Sequence, residues 1–432
     1  MKPGIDLFDT NTGFAPVESG RRESLRLRLG TNRKNLEGIF WPPEGEYPCL
    51  RMGVLGASGT GKTQLIQSLV TQISRRQSAE YPLDVVIFDY KGDYNESRSQ
   101  FSTVTSAQIR RLRKLPFNPF DLSRQEPGPQ LHVHTAMGFG DMVAHVYSLS
   151  PIQKSTLVQS VLAAYTACGI TEEEESWSKP GPTMQQVYEE YMARPAAQRG
   201  DTLAEAMEEL FQFDLFDPDG SHILSPEELR GIVVLDMSGY PPRIQNLITA
   251  VVLGLLWQAL RRRFPQGLAR MEKLVVVDEA DEILGRDIPV VKRLLREGAQ
   301  FGLGMILAAR EPEHIDDDEK PCLDLWAVHS LEAPKRTELE RIFEEAVPEQ
   351  QMQELRKLQR HQCLLKSKGA GALSMQDLPF YEVSTDTRES YLIVPEPEPE
   401  KPVEITMPEL DPSDFLASFD FAEVELATLE EL

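Results

Sequence analysis

Residues Leu50–Gln64 read LRMGVLGASGTGKTQ. The apolar run from Met52 to Leu55 predicts a strand, and the loop after it fits G-x-x-x-x-G-K-[ST], with Gly56, Gly61, Lys62 and Thr63 at the fixed places. The next residues, LIQSLVTQI, repeat at helical spacing. Strand, glycine loop and helix are the setting in which this pattern holds phosphates, because glycines let successive N–H groups and the positive helix end face the anion. On this reading the loop Gly56, Ala57, Ser58, Gly59, Thr60, Gly61, Lys62, Thr63 and Gln64 binds ATP. Lys62 reaches the β- and γ-phosphates, and the Thr63 hydroxyl holds Mg²⁺.

Downstream, Val85 to Phe88 form an apolar run without alternation, as expected of a strand buried on both faces in a parallel sheet. Asp89 and the segment YKGDY stand at its carboxyl end, the edge where open α/β sheets bind ligands. GIVVLDMSGYPP (Gly231–Pro242) and KLVVVDEADEIL predict two further strands, the second delivering Asp278 and Glu279. FGLGMILAAR predicts another, ending near Arg310. Strands separated by helices give a parallel sheet covered on both faces. The fold class is therefore α/β. Boundaries are predicted at 1–49 for a small β-type element, 50–138 and 230–384 for the two parts of the P-loop core, 139–229 for a helical insertion, and 385–432 for an acidic, disordered linker and tail.

Hydrolysis needs a carboxylate to orient the metal and a group to manage water. Asp278 suits the first role and Glu279 the second; as a structural alternative, the pair caps the next helix. DEAD at Asp278–Asp281 invites comparison with an RNA helicase, but S-A-T and H-R-x-G-R motifs do not follow, and only one core sheet can be built. DPDGSHILSPEE imitates a calcium loop, yet with Gly220 at the sixth place Leu215 and Pro226 would have to be oxygen ligands. Cys49, Cys168, Cys322 and Cys363 lack metal or disulfide spacing, which fits reduced thiols and a cytoplasmic protein. Neither a secretory leader nor a membrane span is expected.

The net charge is −23 over 432 residues. Residues 395–432 hold twelve acids against Lys401, a net −11, which leaves −12 for the remainder. Contact with nucleic acid therefore has to run through a local basic lining such as RRLRK (Arg110–Lys114). The tail interleaves acids with Phe415, Phe419 and Phe421, a composition able to dock a partner protein or to remain a solubilising tail.

The order of motifs resembles the HerA/FtsK superfamily of DNA-pumping ATPases over about residues 50–375: GASGTGKT, FDYKGDY, a helical insertion with LSPIQ, IVVLDMSGYPP, VVVDEADEIL and LLREGAQFGLGMILAAR. SGYPP and DLPFY are similar to segments of the DptH-like ATPases of phage defence. The resemblance implies a RecA-like core in a ring, commonly a hexamer, with ATP and Mg²⁺ at subunit boundaries and duplex DNA in the channel. By matching position, Lys62 and Thr63 serve nucleotide and metal, Asp278 and Glu279 serve hydrolysis, and Asp89 lies near the nucleotide. Arg296 is the candidate to enter a neighbour's site. Ala299, Gln300 and Arg310 depart from the family pattern, Arg310 replacing a glutamine that senses the γ-phosphate. Two functions follow: a DNA-stimulated translocating ATPase, or a nucleotide-gated scaffold for a partner effector.

Overall fold

The computed structural model describes residues 25–392 apart from 43–48, 77–81, 97, 112–114, 116–117, 123–129, 196–199, 217–228, 265 and 285–287. The acidic tail, the calcium-like segment, most of RRLRK and part of the N-terminal element lie outside the described residues.

The chain opens with β1 (Leu27–Asn32), β2 (Gly38–Trp41), β3 (Arg51–Leu55), α1 (Lys62–Arg75), β4 (Asp84–Asp89), α2 (Phe101–Thr105) and β5 (Gln108–Arg111). Four helices follow, α3 (Leu131–Tyr147), α4 (Pro151–Ala167), α5 (Met184–Met192) and α6 (Thr202–Phe213). The sheet resumes with β6 (Ile232–Asp236), α7 (Pro242–Arg263), β7 (Leu268–Asp278), α8 (Asp281–Leu284), α9 (Pro289–Glu297), β8 (Phe301–Ala309) and β9 (Leu325–His329). It closes with α10 (Arg336–Phe343), α11 (Glu349–Lys357), β10 (Gln362–Ser367), β11 (Leu373–Asp377) and α12 (Phe380–Thr385).

The eleven described strands form one sheet in the order β2-β1-β11-β10-β9-β3-β8-β7-β4-β6-β5. From β9 to β5 every pairing is parallel. The pairings from β9 outward through β10, β11, β1 and β2 are antiparallel. The N-terminal strands thus extend the same sheet that carries the glycine loop.

The apolar runs read as doubly buried strands are covered on both sides. Val86 and Phe88 join one core cluster with the helical insertion, α7, α9, α10 and α11. Val85 and Ile87 join the other, with α1, α2 and the first turn of α12. Successive strand side chains point to opposite faces, so one uninterrupted run feeds two cores. The insertion helices are locally specified: Ser150 and Thr183 form capping boxes with Gln153 and Gln186, and Asp201 caps α6. Among the described helices, α7 is long and apolar enough to cross a membrane (Pro242–Arg261, mean hydropathy 1.3), but 78% of that stretch is buried inside the protein.

Gly53 shows how tightly the centre is packed. It sits in register with Leu307 of β8 and Trp326 of β9, and a Cβ there would stand 2.3 Å from the Trp326 ring. Gly53→Ala is expected to cost about 1–3 kcal/mol, the usual penalty for forcing a methyl group into a filled core. Urea denaturation checks this; an unchanged midpoint would contradict the packing.

Candidate functional site

The sheet order assembles the site. β8 lies between β3 and β7, so three adjacent carboxyl ends deliver the glycine loop, Arg310 and the Asp278–Glu279 pair to one edge. Neighbouring strands stand about 4.8 Å apart, so the first turn of α1 bridges two such spacings, about 10 Å, from β3 across β8 to β7. The Thr63 hydroxyl donates to Asp278 Oδ2 at 2.8 Å, although the two residues are 215 positions apart.

The loop is held from its base. Gly56 N–H donates to Ala309 O (3.2 Å) and Ala57 N–H to Ser330 O (2.8 Å). Gly59 and Gly61 adopt φ of +79° and +120°, a region in which a side chain is strained. At Gly61 a Cβ would also lie 2.7 Å from His361 Nδ1. No side chain caps α1 and its first turn holds no acid, which leaves its N-terminal N–H groups free of the groups that usually satisfy them. Lys62 is turned onto the loop, donating to Gly56 O (2.5 Å) and Ala57 O (3.1 Å). Burial lowers its pKa, against the opposing pull of Asp278, Asp281 and Glu279.

Asp278 is buried and accepts from Thr63 and, at 3.0 Å, from the Tyr94 hydroxyl. Its Oδ1 is buried without a partner. Desolvation pushes its pKa up from 3.8 to about 6, while the bonds from Thr63 and Tyr94 hold it back. Tyr94 itself is driven well above 10, first by burial and then by Asp278 and Asp89. An all-oxygen set with one unsatisfied carboxylate oxygen fits a hard divalent cation such as Mg²⁺, which Thr63 and Asp278 would hold.

Glu279 has φ of +68°, a strained conformation for a non-glycine residue, and the next N–H, Ala280, is fixed to Ala308 O (2.7 Å). Its carboxylate pairs with Lys91 and, at 3.4 Å, with Arg310. Arg310 N–H in turn donates to Asp281 Oδ1 (2.7 Å).

Asp89 is placed differently from a ligand-facing acid. It is 2% exposed; Oδ1 accepts from the N–H groups of Lys91, Gly92 and Asp93, and Oδ2 from that of Tyr94. It builds the loop that aims Lys91 at Glu279 and Tyr94 at Asp278. Burial raises its pKa, opposed by those backbone bonds. Arg296 stands on the solvent-facing side of α9, beside the amino end of β8, 3.5 Å from Asp318. The nine residues of β8 separate it from this chain's own glycine loop, on the order of 25 Å of strand. Gln64 is anchored by Nε2 on Gln67 Oε1 (3.3 Å), leaving its buried Oε1 unpartnered.

The sequence pattern places Lys91 at the ligand-binding edge without giving it a partner, and it gives Tyr94, Asp281 and His361 no role. The signal for Tyr94 was present in FDYKGDY, where a tyrosine falls five residues after Asp89. Behind the loop, His329 Nδ1 faces Leu55 O at 3.2 Å and its Nε2 faces Asp377 Oδ2 at 2.5 Å; Cys363 Sγ donates to Asp377 Oδ1 (3.2 Å).

Residues 50–256 match the family profile described as helicase HerA, central domain. Over that segment, just under half of the chain, it is similar to the HerA-like P-loop ATPases. The DNA double-strand break repair helicase HerA of Sulfurisphaera tokodaii is 20% identical over 293 residues, 62% of this chain and 52% of that protein. The chain thus spans about half the length of this HerA relative. In fold it is similar to VirB4 of Thermoanaerobacter pseudethanolicus, with TM-score 0.62 and 15% identity over 82% of this chain and 96% of that one. It is also similar to the plasmid coupling protein TrwB in complex with ADP and Mg²⁺, with TM-score 0.51 and 12% identity over 76% and 85%. The HerA profile ends within α7, so the strand carrying Asp278 and Glu279 joins the site through the sheet rather than through the matched segment.

The folded protein holds the Asp278 proton more tightly than the unfolded chain, so stability falls as pH rises from about 4 to about 6, and the penalty stays complete above that range. Asp278→Asn removes the charge. The nucleotide-free variant is expected to unfold at a higher temperature than the wild type at pH 7.5, by about 2–3 kcal/mol, with the gain disappearing near pH 4. Calorimetry at the two pH values checks this, and a variant destabilised at pH 7.5 would contradict it.

Proposed function

We propose that the chain is a ring-forming ATPase, hexameric by its resemblance, that hydrolyses ATP to translocate or remodel duplex DNA in the cytoplasm. It serves as the motor of a multi-protein defence or DNA-processing system. The observation that carries the hydrolytic part is the Thr63–Asp278 contact, which brings a magnesium-type oxygen pair and the adjacent Glu279 to the glycine loop. The DNA part is supported by the HerA profile and by a relative named as a break-repair helicase.

In this reading Lys62 exchanges the carbonyls of Gly56 and Ala57 for phosphate oxygens, and the free N–H groups of α1 take the remaining charge. Mg²⁺, when bound, neutralises charge on the β- and γ-phosphates. Glu279 accepts the proton of the attacking water once Lys91 and Arg310 release it. A γ-phosphate competes with Glu279 for Arg310. Arg296, remote from its own loop, serves a neighbouring subunit's site by stabilising charge on the transferring group. The acidic tail docks a partner protein.

The clamped state of Glu279 also favours the second reading, a nucleotide-gated scaffold that hydrolyses only when a partner binds. Lys62→Ala is expected to abolish ATP binding, whereas Glu279→Gln keeps binding and lowers turnover by 10² or more, the usual worth of a positioned base. Duplex DNA is expected to stimulate the wild type. Unchanged turnover in both variants would remove the assigned site, and stimulation by a partner protein but not by DNA would select the scaffold.

A further inference from the structure

The phosphate end of the site has a direction. Asp278, Glu279 and Arg310 all lie on the β8–β7 side of the loop, so the γ-phosphate and its metal belong there. The nucleoside must then leave on the other side of β3, over the carboxyl end of β9 and its antiparallel neighbours. Three segments surface at that edge: Ser330 after β9, His361 before β10, and Asp377–Tyr381 after β11.

His361 is fixed between the loop and this edge. Its N–H donates to Thr60 O (2.8 Å), its carbonyl accepts from Asp377 N–H (2.9 Å), and it adopts φ of +63°. The side chain is 7% exposed, with Nδ1 unpartnered and turned onto Gly61. On its far side lies Tyr381, edge to face, with ring centroids 5.6 Å apart and planes at 70°.

Tyr381 belongs to DLPFY, a segment the hydrolytic reading leaves unused. It stands in the first turn of α12, which packs alongside α1 and starts from the same edge of the sheet. Its neighbours Phe380 and Val383 are buried, and Phe380 meets Phe101 at 6.0 Å, so the turn is anchored. Tyr381 nevertheless leaves 52% of its surface open, among the most exposed large side chains described. An anchored helix presenting an open aromatic ring one imidazole away from the phosphate loop is built to receive a flat group.

We propose that Tyr381 is the stacking platform for the base of the nucleoside triphosphate, held in place by His361. This rests on the nucleotide reading above and adds the site's nucleoside end. Stacking is tolerant of the base because every base has a π-face, so the platform serves purine triphosphates alike and ATP and GTP compete for one site.

The test uses the full chain and compares ATP with inorganic tripolyphosphate, which has no base, by calorimetric titration. Tyr381→Ala is expected to weaken ATP and GTP on the order of tenfold, the usual effect of losing one aromatic stack, and to leave tripolyphosphate unchanged. Tyr381→Phe should restore both nucleotides. Unchanged ATP affinity in Tyr381→Ala, or equal loss of ATP and tripolyphosphate, would overturn the platform while leaving the phosphate site standing. A wild type that binds neither ligand would overturn the nucleotide reading itself, and the platform with it.

Discussion

One hydrogen bond, from Thr63 to Asp278, organises this protein. It joins the first turn of α1 to the end of β7, with a whole strand lying between β3 and β7. Its acceptor is a carboxylate withdrawn from water, which desolvation penalises, and Thr63 and Tyr94 return only part of that loss. A packed core could have used an apolar residue there at lower cost. The orphaned Oδ1 shows what the arrangement is shaped around: a carboxylate with spare acceptor capacity beside a hydroxyl, next to helix N–H groups that no side chain caps. The nucleotide-free fold gives up stability where a ligand would return it.

The acids at the sheet edge divide the labour through small differences of position. Asp236, Asp89 and Asp278 stand in register on adjacent strands. Asp89 spends both oxygens on four N–H groups and so makes a rigid loop; Asp278, one strand away, keeps one oxygen free. Glu279 is carried past the strand end by a left-handed backbone and meets cations from both sides, Lys91 from the Asp89 loop and Arg310 from β8. The same residue types at neighbouring addresses thereby differ in what they have free: Asp89 is spent on the backbone, whereas Asp278 and Glu279 stand where the proposed metal ligand and base are needed.

Legibility followed locality. The glycine loop, the doubly buried strands and the capped insertion helices are encoded within a dozen residues each, so their pattern is readable directly. Asp278 and Glu279 were readable because acids after an apolar run mark the ligand-binding edge. Asp89 is expected near the nucleotide from its matching position in the resembling motif; that its oxygens are taken by four backbone N–H groups depends on how the following loop folds back, which no local pattern specifies. The antiparallel extension through β10, β11, β1 and β2 was not legible as part of the same sheet, since β1 pairs with a strand more than three hundred residues later and nothing local specifies the partner. His329, Asp377 and Cys363 were invisible for the same reason: three scattered residues become one buried cluster only when β9, β10 and β11 pair.

Charge balance bears on assembly. Around the loop, Lys62, Lys91 and Arg310 face Asp278, Glu279 and Asp281, three cations against three acids. A triphosphate adds several negative charges to a neutral site in a body that is already acidic, and a bound divalent ion offsets only part of them. Lys91 and Arg310 are engaged with Glu279, so drawing either to the phosphate frees the base but adds no charge to the site. A further cation has to come from elsewhere. Arg296 is separated from its own loop by the length of β8, yet on the solvent-facing side of α9, half exposed and paired only with the surface Asp318, it is accessible to another chain. The electrostatics of a single chain thus favour the proposed ring, in which each site is completed across a boundary and hydrolysis depends on the neighbour's position.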